Sequence, residues 1–337
     1  MGDLRVVDAI DRATWSSYVE SHPHGNIFQT PEMAQVYRET RRYVPSLLAA
    51  LDTNGEVRGL SLAQVIRELD GVVGKVLSRC VVPGGPLCDE SVQGAAAAAA
   101  ILKSYPGRVG RGILYTEIRN LHDVAARDAV FAEAGFKSEA HLNYLLDLSP
   151  GAEALWTALT KTKRQAVTNS RKRGARVADV GASDIPAFYS VLEATYNRAG
   201  VPLADRSLFE SAFRVLGPRR LKFIAVTQGR ECIGGAVALL FRDTVYLWYL
   251  CGAREQQGIS PSDLAVWHLI EWGASKGFRV FDFGGAGRPD EKYGVREFKR
   301  RFGGREVDFG RHRKEHHPVL LRAALGGLKI RKRVRGR

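Results

Sequence analysis

Sulfur is scarce in this chain of 337 residues, which holds two methionines and four cysteines. Cys80, Cys88, Cys232 and Cys251 lack the close pairing that metal-ligating thiols show, and they read as buried thiols of a reducing compartment. No HExxH pattern, GxSxG elbow or P-loop occurs. This removes zinc-peptidase, serine-hydrolase and P-loop nucleotide chemistry from the first reading. His22 and His24 flank Pro23, and His316 and His317 sit in a charged tail; both pairs read as surface or turn histidines, so no metal site is expected. No apolar run approaches the ~18–20 residues of a membrane span, and the start lacks a signal-peptide pattern, so a cytoplasmic protein is expected.

Positive charge is abundant and unevenly placed. The net charge is +14. Six Lys/Arg and no acid lie between Lys161 and Arg173, and ten Lys/Arg with one acid, Glu315, lie between Arg311 and Arg337. These two stretches hold essentially the whole excess and leave a near-neutral body. Concentrated basic segments on such a body suit a polyanionic partner: RNA, anionic lipid or a phosphorylated substrate.

The order of segments repeats. Each half opens with helical segments, around Trp15–Val19 and Ala34–Glu39 in the first, and around Phe188–Leu192 and Leu208–Val215 in the second. A hairpin signal follows in each: Ser46–Leu51, Asn54-Gly55, Val57–Val65, then Leu221–Val226, Gln228-Gly229, Cys232–Phe241. Each half later has a helix ending in Gly-Phe before a strand: Ala125–Ala134 before Leu142–Leu148, and Leu264–Ser275 before Val280–Phe283. Two similar α/β units in tandem are therefore expected. The boundaries are residues 1–150, 151–312 and a basic extension, 313–337. Alanine-rich Ala95–Ala100 reads as helix.

Leu155–Arg173 reads as one helix joining the halves, with Lys161, Lys163, Arg164, Arg171, Lys172 and Arg173 as a solvent-facing ridge for tRNA phosphates. From Pro318 onward, Leu320, Leu321, Ala324, Leu325 and Leu328 can share one helix face beside basic residues. That tail is expected to lie on anionic membrane or to assist RNA binding.

The densest chemistry runs from Val280 to Gly304. A short β-run ends in Asp282 and a glycine loop, and then come Tyr293, Arg296, Phe298, Lys299, Arg300 and Arg301. Glycines after a strand let backbone approach a ligand, and the following cations suit an anion or oxyanion.

The run FDFGG…KYGVREFKRRFGG resembles the terminal signature of the Fem family of peptidyltransferases. Phe28–Ala34, Val82–Asp89 and Leu159–Gln165 resemble earlier segments of that family, so the resemblance spans nearly the whole chain. It implies an α/β fold of two tandem GNAT-like domains, here without the long coiled-coil arm of some members. It implies transfer of an amino acid from aminoacyl-tRNA, the co-substrate, to an amino group of a peptide-like acceptor such as a peptidoglycan precursor, with no cofactor and a monomeric protein. Carried over, Phe298 and Lys299 match the family's catalytic Phe-Lys pair, and Arg206 and Tyr249 fall near acceptor contacts. Asp282, Tyr293 and Arg296 join them as substrate-binding candidates. The chain departs from the pattern at Tyr37 and at Asn120-Leu121, which leaves the acceptor open. Two other classes compete. An acyl-CoA N-acyltransferase would need a pyrophosphate loop where Glu255-Gln256-Gln257-Gly258-Ile259-Ser260-Pro261 stands, with an acid first. A non-catalytic RNA- or membrane-binding protein could use the same frame. An aminoacyl ester is already activated, so positioning and charge stabilisation suffice, with Lys299 as the stabilising cation.

Overall fold

The structure, a computed structural model, describes residues 3–67, 78–108, 112–254 and 258–322. In chain order the first elements are β1 (Arg5–Val7), α1 (Arg12–Ser21), α2 (Pro31–Glu39), β2 (Tyr43–Leu51), β3 (Val57–Arg67), β4 (Ser78–Pro83), β5 (Leu87–Cys88), α3 (Val92–Arg108), β6 (Ile113–Arg119), α4 (Asp128–Glu133) and β7 (Lys137–Glu139). There follow β8 (Leu142–Asp147), α5 (Ala152–Ala158), α6 (Lys161–Lys172), β9 (Ala175–Asp179), α7 (Ile185–Ala199), α8 (Ser207–Arg220), β10 (Leu221–Gln228), β11 (Glu231–Phe241) and β12 (Thr244–Gly252). The chain finishes with α9 (Pro261–Ser275), β13 (Val280–Gly285), α10 (Gly294–Arg300), β14 (Arg305–Asp308) and β15 (Arg311–Glu315).

Local chemistry sets several of these ends. Asp11 caps α1 by accepting from the Ala13 and Thr14 amides, and Thr30 caps α2, whose first residue is Pro31. The β2–β3 and β10–β11 hairpins turn at Gly55 and Gly229, both at positive φ. The alanine run lies inside α3, and its Ala97 and Ala98 join Cys80 and Phe136 in the first core.

The strands form two mixed sheets of matching order. The first runs β1-β2-β3-β4-β6-β15-β7, with β5 beside β3; the second runs β9-β10-β11-β12-β13-β8-β14. Each has one parallel pair, β4 with β6 and β12 with β13, and each places a helix, α3 or α9, before the second strand of that pair. Where β8 fills the second sheet, β15 fills the same place in the first. The halves have exchanged a strand.

This exchange moves the expected boundaries. The compact units are Met1–Ala140 with the residues from Phe309 onward, and His141–Asp308. A division at residue 150 would strip β8 from its sheet, and a separate extension at 313 would cut through β15. Hydrophobic runs reveal strands, but not which sheet a strand joins. The joining helix also differs: α5 and α6 are separate, because Leu159 and Thr160 turn to extended ψ and the Thr160 hydroxyl caps α6. His22 is buried, in place of a surface turn. At the C-terminal end Leu321 is buried and Val319 exposed; residues 323–337, with Ala324, Leu325 and Leu328, lie outside the described residues.

His312 shows why β15 belongs to the first unit. Its ring is buried, stacks on Phe131 at 3.8 Å, and lies 3.1 Å from the Asp128 carboxylate and 3.2 Å from the Asn120 amide. Burial lowers its pKa, with Asp128 opposing. Replacement of His312 by alanine should cost about 2–5 kcal/mol, the range of large-to-small core changes. Faster hydrogen exchange at the amides of β6 and β7, with β10 and β11 unchanged, is the expected readout.

Candidate active site

The second sheet is open at one end. β12 and β13 pair only across Thr244–Tyr246 and Val280–Asp282, although β12 continues to Gly252. In the first unit β4 and β6 stay paired from Ser78 to Pro83. Val237 faces Tyr249 and Ala238 faces Leu247 across β11 and β12, so Trp248 is an extra, bulged residue. A bulge takes one residue out of the ladder and bends its strand. Its result is visible in the side chains. Trp248 and Tyr249 both pack on Phe209, with centroids at 6.3 and 4.7 Å, while Leu247 and Leu250 pack on the core. Tyr196 adds a ring 5.8 Å from Tyr249.

The glycine loop after β13 is held through its carbonyls. Lys299 is buried in α10, and its ammonium donates to Gly284 O at 2.9 Å and Gly285 O at 2.7 Å. One turn earlier, Arg296 donates to Ala286 O at 3.1 Å, to Pro289 O at 3.0 Å and to Arg288 O. Ala286 and Gly287 also bond Leu142 of β8. Gly284 has φ +71°, a conformation that glycine adopts readily.

Asp282 is buried beneath this loop. Its carboxylate accepts from the Gly284 amide at 2.7 Å and the Asn143 side chain at 2.9 Å. Burial pushes the Asp282 carboxyl up and the Lys299 ammonium down to about 8, and their mutual attraction opposes both shifts. An ammonium has three donors, and two serve the loop carbonyls.

The other expected residues are spread out. Phe298 is partly buried on the second core, 5.3 Å from the Phe302 ring. Tyr293 is exposed and its ring lies against Gly287. Arg206 is exposed and pairs with Glu210 at 2.8 Å at the start of α8. The basic ridge is not a uniform solvent face. Lys163 is buried, ion-paired with Asp263, and capped by the rings of Phe298 at 4.0 Å and Phe302 at 4.7 Å. It is therefore removed from the phosphate-contacting set: α6 turns this residue onto the core, where an aromatic slot and a carboxylate compensate its charge. Arg164 bonds the Thr157 and Leu159 carbonyls, and Arg171 pairs with Glu271 at 2.8 Å. Lys161, Lys172 and Arg173 are exposed.

Sequence reasoning missed the bulge at Trp248, the ring of Tyr196 and the part played by Asn143. An amide inside the otherwise apolar run Leu142–Leu146 was the available signal for Asn143, since buried polar side chains need partners. The expected acid at Glu255 lies outside the described residues. At the start of α9, the Ser260 amide donates to the Ser170 hydroxyl, Pro261 has no N–H, and Asp263 occupies the first turn. Among the described residues no group of three or more His, Cys, Asp or Glu could hold a metal.

Breaking the Lys163–Asp263 pair leaves a carboxylate uncompensated, so Lys163→Met should cost about 3–5 kcal/mol in urea unfolding. Lys161→Met, on the exposed turn, should shift stability by less than about 0.5 kcal/mol. Equal effects would contradict the burial of Lys163.

The Acetyltransferase (GNAT) domain family matches residues 160–300, which lie in the second unit. No curated protein matches the chain. Solved structures resemble it over nearly its whole length. FemX aligns at 15% identity with a TM-score of 0.69, covering 95% of this chain and 99% of its own. A tandem GNAT protein from the clavulanic acid biosynthesis pathway aligns at 12% and 0.61, covering 93% and 98%. The C-terminal domain of a putative lysylphosphatidylglycerol synthetase from Agrobacterium fabrum aligns at 12% and 0.55, covering 93% and 95%. The chain has the mixed α/β fold of tandem GNAT proteins, and among the described residues there is no long coiled-coil arm.

Proposed function

We propose that the protein is an acyltransferase that moves an amino acid from aminoacyl-tRNA to the amino group of a peptide-like acceptor, at the opening between β12 and β13. The observation that carries the choice of donor is the start of α9. A helix N-terminus holds pyrophosphate through free N–H groups and its positive dipole end. Here Pro261 supplies no N–H, and the Ser260 amide before it is already given to the Ser170 hydroxyl. A CoA pyrophosphate would find these amides missing, whereas an aminoacyl ester makes no such demand. The likeness to FemX and to a putative lysylphosphatidylglycerol synthetase supports the same choice.

The acceptor nitrogen attacks the ester carbonyl carbon and an oxyanion forms. The C–O bond to the ribose then breaks, and a proton from the amine ends on the released hydroxyl. The protein positions the two reactants and stabilises the developing charge. Lys299 has one donor beyond those given to Gly284 and Gly285, and that donor is assigned to the oxyanion. Asp282 and Arg296 act on the loop's shape. Tyr249 and Tyr293, with Tyr196, form the apolar side of the acceptor site, and Phe298 packs over Lys163 beside it.

Incubation with charged tRNA and amine acceptors, read by mass, separates the readings: an aminoacyl adduct supports this one, and an acetyl adduct with acetyl-CoA supports the alternative. Loss of an oxyanion donor typically costs about 10²–10³ in rate. Lys299→Met should lose that much single-turnover transfer while retaining tRNA affinity; Arg300→Met, whose exposed guanidinium pairs with Glu297, should lose little. Since the ammonium form is required and the Lys299 pKa lies near 8, turnover should decline as pH rises through about 8.

A further inference from the structure

The expected phosphate ridge on α6 is partly consumed by internal pairing, and positive charge collects elsewhere in the second unit. Five cations gather at the far end of the second sheet. Arg219 and Arg220 close α8 just before β10. Arg242 sits at the tip of the β11–β12 hairpin with φ +50°. Lys276 caps α9, and Arg279 precedes β13. Register brings them together: Leu221 faces Leu239, Phe241 faces Thr244, Thr244 faces Val280, and the Arg279 amide bonds the Asp243 carbonyl at 2.8 Å.

Two of the guanidiniums are pre-ordered. Arg220 and Arg242 lie over the Phe241 ring at 4.8 and 5.3 Å. A stacked guanidinium keeps its planar donors outward and loses less freedom on meeting a phosphate. Arg219, Arg242, Lys276 and Arg279 are exposed, and among the described residues no ion pair engages Arg219, Lys276 or Arg279. The carboxylates here are Asp243 and Asp147. The C-termini of α8 and α9 contribute about half a negative charge each, which still leaves a positive surplus.

We infer that this surface, formed by Arg219, Arg220, Arg242, Lys276 and Arg279, docks the phosphate backbone of an RNA. The inference rests on the aminoacyl-tRNA reading and adds where the body of that RNA is held. The surface lies where β12 begins and the opening lies toward its other end, roughly 20 Å away at 3.3 Å per residue. A polynucleotide with its reactive terminus in the opening has backbone at such distances. A membrane surface fits less well, because no large exposed apolar side chain among the described residues belongs to this end of the sheet.

The test uses the full chain, uncharged total tRNA, and vesicles of phosphatidylglycerol and phosphatidylcholine. Binding to tRNA is titrated over a range of salt. Each phosphate contact contributes about 0.7–0.9 to the slope of log K against log[salt]. The combined Arg219→Gln, Arg242→Gln, Lys276→Gln and Arg279→Gln variant should flatten the slope by about 3, with an unchanged unfolding midpoint. The single variants Lys276→Gln and Arg279→Gln, should the combined one fold poorly, should each flatten it by about 1. An unchanged slope and affinity, or a loss of vesicle binding as large as the loss of tRNA binding, would overturn the inference. Parent protein that transfers amino acids normally while the variant keeps its tRNA KM also refutes this surface alone. Parent protein that binds no tRNA refutes the surface and the proposed donor together.

Discussion

Neither sheet is complete without a strand from the other half of the sequence. β8 enters the second sheet between β13 and β14, and β15 enters the first between β6 and β7. The candidate site depends on the first of these insertions. Asn143 of β8 donates to Asp282, Asp282 accepts from the Gly284 amide, and Leu142 pins Ala286 and Gly287. The glycine loop of the candidate site is thus braced by a strand that precedes the second repeat.

Charge in the second unit is divided between internal and external uses. Lys163 and Lys299 are both buried, yet they are compensated differently. Lys163 has a carboxylate and two aromatic faces, which leave no capacity for a ligand. Lys299 has two neutral carbonyls and a more distant carboxylate, so its charge is only partly offset and its pKa falls. A buried ammonium in that condition gains from an incoming negative charge, which is the requirement of an oxyanion site.

The two units differ at the centre of their sheets. Both sheets have a parallel pair at their centre, but only β12 and β13 stop pairing early, next to a bulge that turns Trp248 and Tyr249 to one side. The first unit keeps β4 and β6 paired throughout, and its sheet has no corresponding opening there.

The sequence by itself determined the elements and their repetition. Hydrophobic runs, Asn54-Gly55, Gln228-Gly229 and the Gly-Phe helix ends are local signals, and local signals report local conformation. It also marked the stretch from Asp282 to Lys299, because glycines after a strand followed by cations are legible without a fold. Tertiary structure decided the rest. Which sheet receives Leu142–Asp147 depends on long-range pairing, and Arg311–Glu315, made only of charged residues and histidine, has no strand pattern of its own and becomes a strand by pairing with β6 and β7. Whether Lys163 meets solvent or Phe298 depends on how α6 lies on the core, since a lysine at helical spacing reads the same in both cases. The positive surface at Arg219, Arg242 and Arg279 exists only because register aligns the start of β10, a hairpin tip and the start of β13, three points that are separate in sequence and adjacent in the sheet.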